Sequence, residues 1–283
     1  FVMEGADDVL EDDLVALAAS VDATAARAAC TEGRVPRQQG PPSPESFARN
    51  VHASQPLVFT GCVDHWHALT WTHEHLRSVL GERCVHVAVT PDGLADAVSP
   101  ATRQPSGELL FARPLEQPLS FRAFLDAIES PLANASGEQR RPVFYVSHQN
   151  SSLLTEFEPL WTDLERSLMW ADRAFGQLPA AVNLWMGEDG ARTSVHADLF
   201  DNLYVVLRGE KHFTLLPPQE GCRLGRRPFR AATWVANDDA TSGHVGLVLQ
   251  VDEPQTRVSW TTLDLEREGG HLHPIHATVR AGE

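Results

Sequence analysis

From residue 181 onward the chain reads as short apolar segments separated by tight turns, and no other feature constrains the fold as strongly. AVNLWMG (181–187) is followed by the polar turn Glu188-Asp189-Gly190. TSVHAD (193–198), NLYVVLRG (202–209), KHFTLLPP (211–218) and HVGLVLQV (244–251) then follow as candidate strands. Several strands joined by tight turns predict a sandwich or barrel. Before this block, PLVFTG (56–61), VHVAVT (85–90) and PVFYVSHQ (142–149) also read as strands. Residues 8–30, 73–81, 120–130 and 158–175 show the three- and four-residue apolar spacing of helices, with Gly81 ending the second. Residues 33–44 are rich in Pro, Gly and Gln and read as a linker. Helices and strands do not alternate strictly, which argues against a Rossmann sheet. The expectation is a mainly β fold with flanking helices, a barrel or jelly roll with its core at about 140–283.

Composition narrows the partners. The chain has 283 residues, 42% hydrophobic and 22% charged, with a formal net charge of -15. Acidic residues crowd the start, at Glu4, Asp7, Asp8, Glu11, Asp12 and Asp13. This balance argues against a phosphate-backbone binder and suits a basic protein or peptide. No apolar run approaches the roughly 20 residues that cross a bilayer, so no membrane partner is expected. The start has no basic-then-apolar signal pattern, and the sequon at Asn134 is read as chance. Cys30, Cys62, Cys84 and Cys222 form no CxxC pair, which fits a reducing compartment, cytoplasmic or nuclear. A first residue of Phe suggests a fragment.

The chemistry centres on His196-Ala197-Asp198. On a strand, residues i and i+2 share a face, so imidazole and carboxylate would converge on one point. A non-haem iron centre of two histidines and one carboxylate needs such a pair. Spacing alone carries little, since a chain with 13 His and 38 Asp or Glu is expected to hold such a triplet by chance. Context adds to it. A turn at Arg208-Gly209-Glu210 puts Lys211 at the mouth of a hairpin beside the His-x-Asp segment. A lysine pointing into that sheet needs a carboxylate partner. A dicarboxylate could supply it, with Thr193 and Tyr204 as hydroxyl donors, whereas an outward Lys211 would be an ordinary solvated residue. His271, His273 and His276, in GGHLHPIH, read as loop residues because Gly269, Gly270 and Pro274 surround them. His65, His67, His73 and His75 read as packing or surface residues, and His212 as structural. No G-x-S-x-G elbow marks a serine hydrolase.

The block from AVNLWMG to TLLPP (181–218), together with PLVFTG, VAVTPDGLADAV (87–98) and FYVSHQNSSL (144–153), resembles the JmjC, or cupin-like, Fe(II)/2-oxoglutarate oxygenases over about 56–283. The similarity is to the lysyl-hydroxylase branch of that family. The resemblance implies a double-stranded β-helix, with residues 1–40 as an N-terminal helix and linker and 41–283 as the oxygenase domain. It implies Fe(II), 2-oxoglutarate and O2. His196 and Asp198 match two iron ligands, and the third, a histidine, is expected beyond Glu283, together with the last strands of the barrel. Lys211 matches the residue that pairs with the distal carboxylate of 2-oxoglutarate. Thr193, Asn202, Tyr204 and Tyr145 match positions lining that pocket. The implied reaction is hydroxylation of a protein side chain, with lysine C3 of a GTP-binding protein as the expected target and a homodimer as the assembly. On this reading the chain as it stands binds iron weakly and is poorly active. Hydroxylation of another residue or a tRNA base, or an inactive JmjC module used for protein interaction, are the competing readings. The net charge of -15 argues against the tRNA.

Overall fold

The computed structural model describes residues 33–132, 141–149, 151–237, 246–265 and 272–283. The expected helix at 8–30, the acidic start, Asn134, His244 and His271 lie outside them. In chain order the strands are β1 (Arg37–Gln39), β2 (Val58–Thr60), β3 (Cys84–Thr90), β4 (Leu94–Ala95) and β5 (Phe111–Arg113). Then come β6 (Leu115–Ser120), β7 (Val143–Val146), β8 (Met186–Gly187), β9 (Arg192–Thr193) and β10 (Glu210–Leu215). The last four are β11 (Arg227–Ala236), β12 (Leu247–Val251), β13 (Arg257–Trp260) and β14 (Ile275–Arg280). The helices are α1 (Pro44–His52), α2 (His73–Leu80), α3 (Phe121–Glu129) and α4 (Met169–Phe175). The architecture is the expected one, mainly β with flanking helices, in the manner of a jelly roll.

Sequence explains the helix starts. Thr72 caps α2 by accepting from the His75 N–H at 3.1 Å, and Ser120 caps α3 by accepting from the Ala123 N–H at 3.2 Å. Both helices cover one face of the sheet ordered β6-β3-β7-β8. Val85, Val87 and Val89 alternate onto that face and pack with Leu76, Leu80, Phe121, Phe124 and Leu125, all buried. The opposite face carries the polar work. Ala88 pairs with Glu116 on one side and Tyr145 on the other, and Tyr145 pairs with Gly187. Paired residues share a face, so Glu116, His86 and Tyr145 lie on the side away from the helices.

The second sheet runs β12-β11-β13, with β5 parallel to β11. β10 pairs antiparallel with β14, so that Lys211 stands opposite Val279. The stretch expected as a linker is ordered into this framework. β1 pairs parallel with β2, the Val35 N–H donates to His276 O at 3.1 Å, and Arg37 grips Glu283 with Nη2 at 3.0 Å. Its Pro and Gly flank a strand instead of marking free chain.

Other expectations are corrected by competing partners. Residues 158–175 form a short 3-10 helix at Glu158–Asp163 and then α4, not one helix. Leu160 is drawn into the core and Asp163 accepts the Trp71 indole N–H at 2.8 Å, which takes the chain off a single axis. Of 181–187 only Met186–Gly187 joins a ladder. Buried Ser152 satisfies Leu184 N–H through its hydroxyl at 3.1 Å, while Val182 O accepts from Leu153 N–H. His276 lies on β14, not in a loop, and His273 is bonded to buried Glu220. The turn at Arg208-Gly209 forms, with Gly209 at φ 75° and the Tyr204 ring 5.2 Å from Phe213. Residues 202–207, however, are in no ladder with β10. Val206 bonds instead to Gly282 and Glu283.

One glycine contact fixes the route to the site. Gly93 has φ 82°, and a Cβ there would fall 1.8 Å from the Gly190 carbonyl oxygen. The Gly93 carbonyl in turn accepts from Arg192 N–H at 2.8 Å. Gly93→Ala should therefore destabilise the fold by about 2–4 kcal/mol, from left-handed strain plus a backbone clash. A urea titration reads this as a lower midpoint; an unchanged midpoint would contradict it.

Candidate functional site

The β4–β9 pair, with Ala95 opposite Thr193, aims the chain that follows. The Ser194 hydroxyl donates to Asp96 O at 2.6 Å and accepts from Trp260 Nε1 at 3.2 Å. Beyond it, residues 194–198 are not on a strand, contrary to expectation. His196 and Asp198 nevertheless converge. His196 Nε2 lies 3.5 Å from Asp198 Oδ1.

The outer atoms of the pair are also held. His196 Nδ1 sits 2.8 Å from Ser194 O, a contact that requires a proton on Nδ1. That tautomer leaves the Nε2 lone pair free and facing the carboxylate. Asn202 Nδ2 donates to Asp198 Oδ2 at 2.7 Å, which leaves Oδ1 for another partner. Imidazole and carboxylate thus each offer one free donor atom to the same space, oriented by a second bond, as metal ligands are. Both side chains are exposed, so neither depends on the core for its position. Asn202, expected to line the cosubstrate pocket, is seen bracing Asp198. Asn202→Ala should weaken divalent-metal binding by roughly 10- to 100-fold with little effect on folding, as loss of such a brace does elsewhere. Calorimetric metal titration checks it.

A second group forms around Lys211. β10 alternates, turning Lys211 inward and His212 out to 71% exposure. The Lys211 ammonium stands over the Tyr145 ring, 5.4 Å from its centroid. The Tyr145 and Tyr204 phenols interact, and the Tyr204 ring is flanked by that of Trp185, 5.5 Å between centroids. Burial pushes the Lys211 ammonium below its ordinary pKa and both phenols above theirs. Among the described residues no carboxylate pairs with Lys211. Gly187 makes room for this group, because a Cβ there would come within 2.7 Å of the Tyr145 ring. The 188–190 turn connects β8, under Tyr145, to β9, which leads to His196. Thr193, on β9, is exposed.

Several polar residues were not foreseen from the sequence. Asp96 takes φ 48°, and burial raises its pKa against the pull of Arg113 and His196. It opens onto a cleft of about 420 Å³ lined by Arg113, Leu115, Glu116, Thr233 and Trp234. Farther along the polar sheet face, His86, His148 and Glu156 bring ligand-type atoms within 4.8 Å of one another. They come from β3, from the stretch after β7 and from a turn, so no spacing in the sequence announces them. The remaining histidines meet the expected surface reading: His65, His73 and His75 pair with Glu165, Glu129 and Asp163.

The chain is similar to known proteins over most of its length. A family described as a cupin-like domain matches residues 43–283. The bifunctional peptidase and (3S)-lysyl hydroxylase JMJD7 of Homo sapiens is 36% identical over 269 residues, 92% of this chain and 79% of that protein. JmjC domain-containing protein E of Dictyostelium discoideum is 32% identical, covering 88% of this chain and 74% of its own. Lysine-specific demethylase JMJ32 of Arabidopsis thaliana is 34% identical, covering 88% and 73%. The His-x-Asp pair and the lysine on β10 lie within all of this shared length, and the chain belongs to the cupin-like JmjC family.

Proposed function

We propose that this chain is an Fe(II)- and 2-oxoglutarate-dependent oxygenase that hydroxylates a protein side chain, with lysine C3 of a GTP-binding protein as the target. The observation that carries the reading is the donor pair: His196 Nε2 and Asp198 Oδ1, 3.5 Å apart, each with its companion atom already bonded elsewhere. One imidazole and one carboxylate oxygen are two of the donors that a facial triad requires. The triad's third donor is a second histidine. Bound iron with its cosubstrate supplies the oxidising power to place oxygen on an unactivated carbon.

The protein's own residues do the rest. Lys211, half-buried and with no carboxylate partner among the described residues, receives the distal carboxylate of 2-oxoglutarate. The Tyr145–Tyr204 pair and Thr193 offer hydroxyls to it. The acidic balance of the chain, -15, favours a basic partner. The relative in Arabidopsis is named a lysine demethylase, and oxidation of a lysine N-methyl group would use the same site on a different carbon.

The test is succinate formation with lysine-bearing substrate proteins, followed by mass spectrometry of the peptides. Gain of one oxygen on an unmethylated lysine supports hydroxylation at carbon, and loss of a methyl group supports demethylation. No succinate from protein that binds iron and 2-oxoglutarate leaves the interaction module.

A further inference from the structure

We infer that His86, His148 and Glu156 form a second divalent-cation site of the zinc class, separate from the His196–Asp198 pair. His86 Nδ1 lies 2.6 Å and His148 Nδ1 3.0 Å from the same oxygen, Glu156 Oε1. The two imidazoles are inclined at 38° with centroids 4.8 Å apart, so both ring nitrogens look into one pocket of space. Two nitrogens and one carboxylate oxygen are a donor set that suits zinc, with a further position left to water.

The carboxylate is aimed. Its other oxygen, Oε2, accepts the His86 backbone N–H at 3.0 Å, which turns Oε1 toward the rings. The backbone behind it is fixed as well. Arg83 donates to Glu156 O at 3.1 Å and to Thr155 O at 3.2 Å, and the next side chain, Phe157, is fully buried. Burial alone would raise the Glu156 carboxyl, but the bonds from the His86 backbone and from both imidazoles outweigh it and hold it ionised. Glu156 is mostly covered at 11% exposure, while His86 and His148 are open at 50% and 39%. A cation would therefore meet a rigid oxygen at the base and two imidazoles free to settle around it.

Without a cation, both imidazoles must carry their proton on Nδ1 and direct it at one oxygen. A metal replaces both protons and expands the group slightly, to nitrogen and oxygen distances of about 2.0–2.2 Å from the ion. Glu116, on the same sheet face and within the electrostatic reach of all three residues, adds negative charge that favours the cation.

The experiment uses Zn2+ alone, with the full chain carrying Asp198→Ala so that the other site is removed. Calorimetry is expected to give one bound Zn2+, weakened more than about 10-fold by His148→Ala and by Glu156→Gln, since losing a ligand costs at least what losing its brace does. His148 is partly exposed and outside any strand, so that variant tests binding without loss of fold. Thermal melts supply the second readout. Zn2+ should raise the melting temperature of the Asp198→Ala protein and leave that of the Asp198→Ala, His148→Ala protein unmoved. Absence of Zn2+ binding in the Asp198→Ala background, or binding that His148→Ala does not change, would overturn the site. Neither outcome bears on whether His196 and Asp198 hold iron.

Discussion

In protein that carries the complete triad, Asp198→Ala is expected to remove 2-oxoglutarate turnover, by more than about 100-fold, while leaving the melting temperature where it was. The first effect follows from the donor set. With Asp198 gone, His196 Nε2 faces open solvent and the oxygen that Asn202 had oriented is lost, so no chelating pair remains. The second follows from exposure. The Asp198 side chain is 48% exposed, and among the described residues its bonds are to its neighbours His196 and Asn202, not to the core. Surface substitutions of this kind stay within about 0.5 kcal/mol. Succinate release and a thermal melt on the same sample check both halves. An active Asp198→Ala protein would remove the residue from the metal site, and an unfolded one would give it a structural role instead.

Lys211→Met should act in opposite directions on binding and on stability. For 2-oxoglutarate, loss of a charge-assisted contact is expected to cost about 2–4 kcal/mol, or roughly 30- to 1000-fold in affinity. For the fold, the ammonium is a burden. Burial holds the Lys211 pKa below its ordinary value, so the folded protein gives up this proton before the unfolded chain does. Stability then rises with pH between the folded and unfolded pKa values, and the cost of the buried charge is fully present below the folded one. Methionine keeps the length without the charge. The variant should melt higher at neutral pH and lose the alkaline gain that Lys211 confers. Isothermal titration with 2-oxoglutarate and melts from neutral to alkaline pH separate the effects. Equal affinity in both proteins would place Lys211 outside the cosubstrate pocket.

What could be read from the sequence was whatever depends on neighbours along the chain. Helices α2 and α3 have their caps, Thr72 and Ser120, and their apolar stripes within a dozen residues, and both form where expected. β3 is an apolar run whose valines alternate. His196 and Asp198 come within 3.5 Å of each other, through an irregular segment braced by Ser194 and Asn202 and not through strand geometry. What could not be read depends on distant partners. Arg34 to Gln39 look like linker because their pairing is with β2 and with His276. Val182 to Leu184 look like strand, but Ser152 and Leu153 intercept their backbone groups. The His86–His148–Glu156 group escapes any spacing rule because three separate elements build it.

The clasp between the two ends of the described chain also sets an order of events during synthesis. β10, which carries Lys211, is made long before β14, its ladder partner. β14 is in turn held by Val35 and Arg37, from the earliest described stretch. A chain emerging from the ribosome therefore holds β10 ready while its ladder partner β14 does not yet exist. Closing so long a loop is slow compared with forming α2 or α3. During that interval β10 lacks the ladder partner it has among the described residues, and its edge is open to other chains. Expression yield should depend on how quickly β14 is delivered, and sequences that shield β10 while it waits should matter more in the cell than the stability of the finished fold implies.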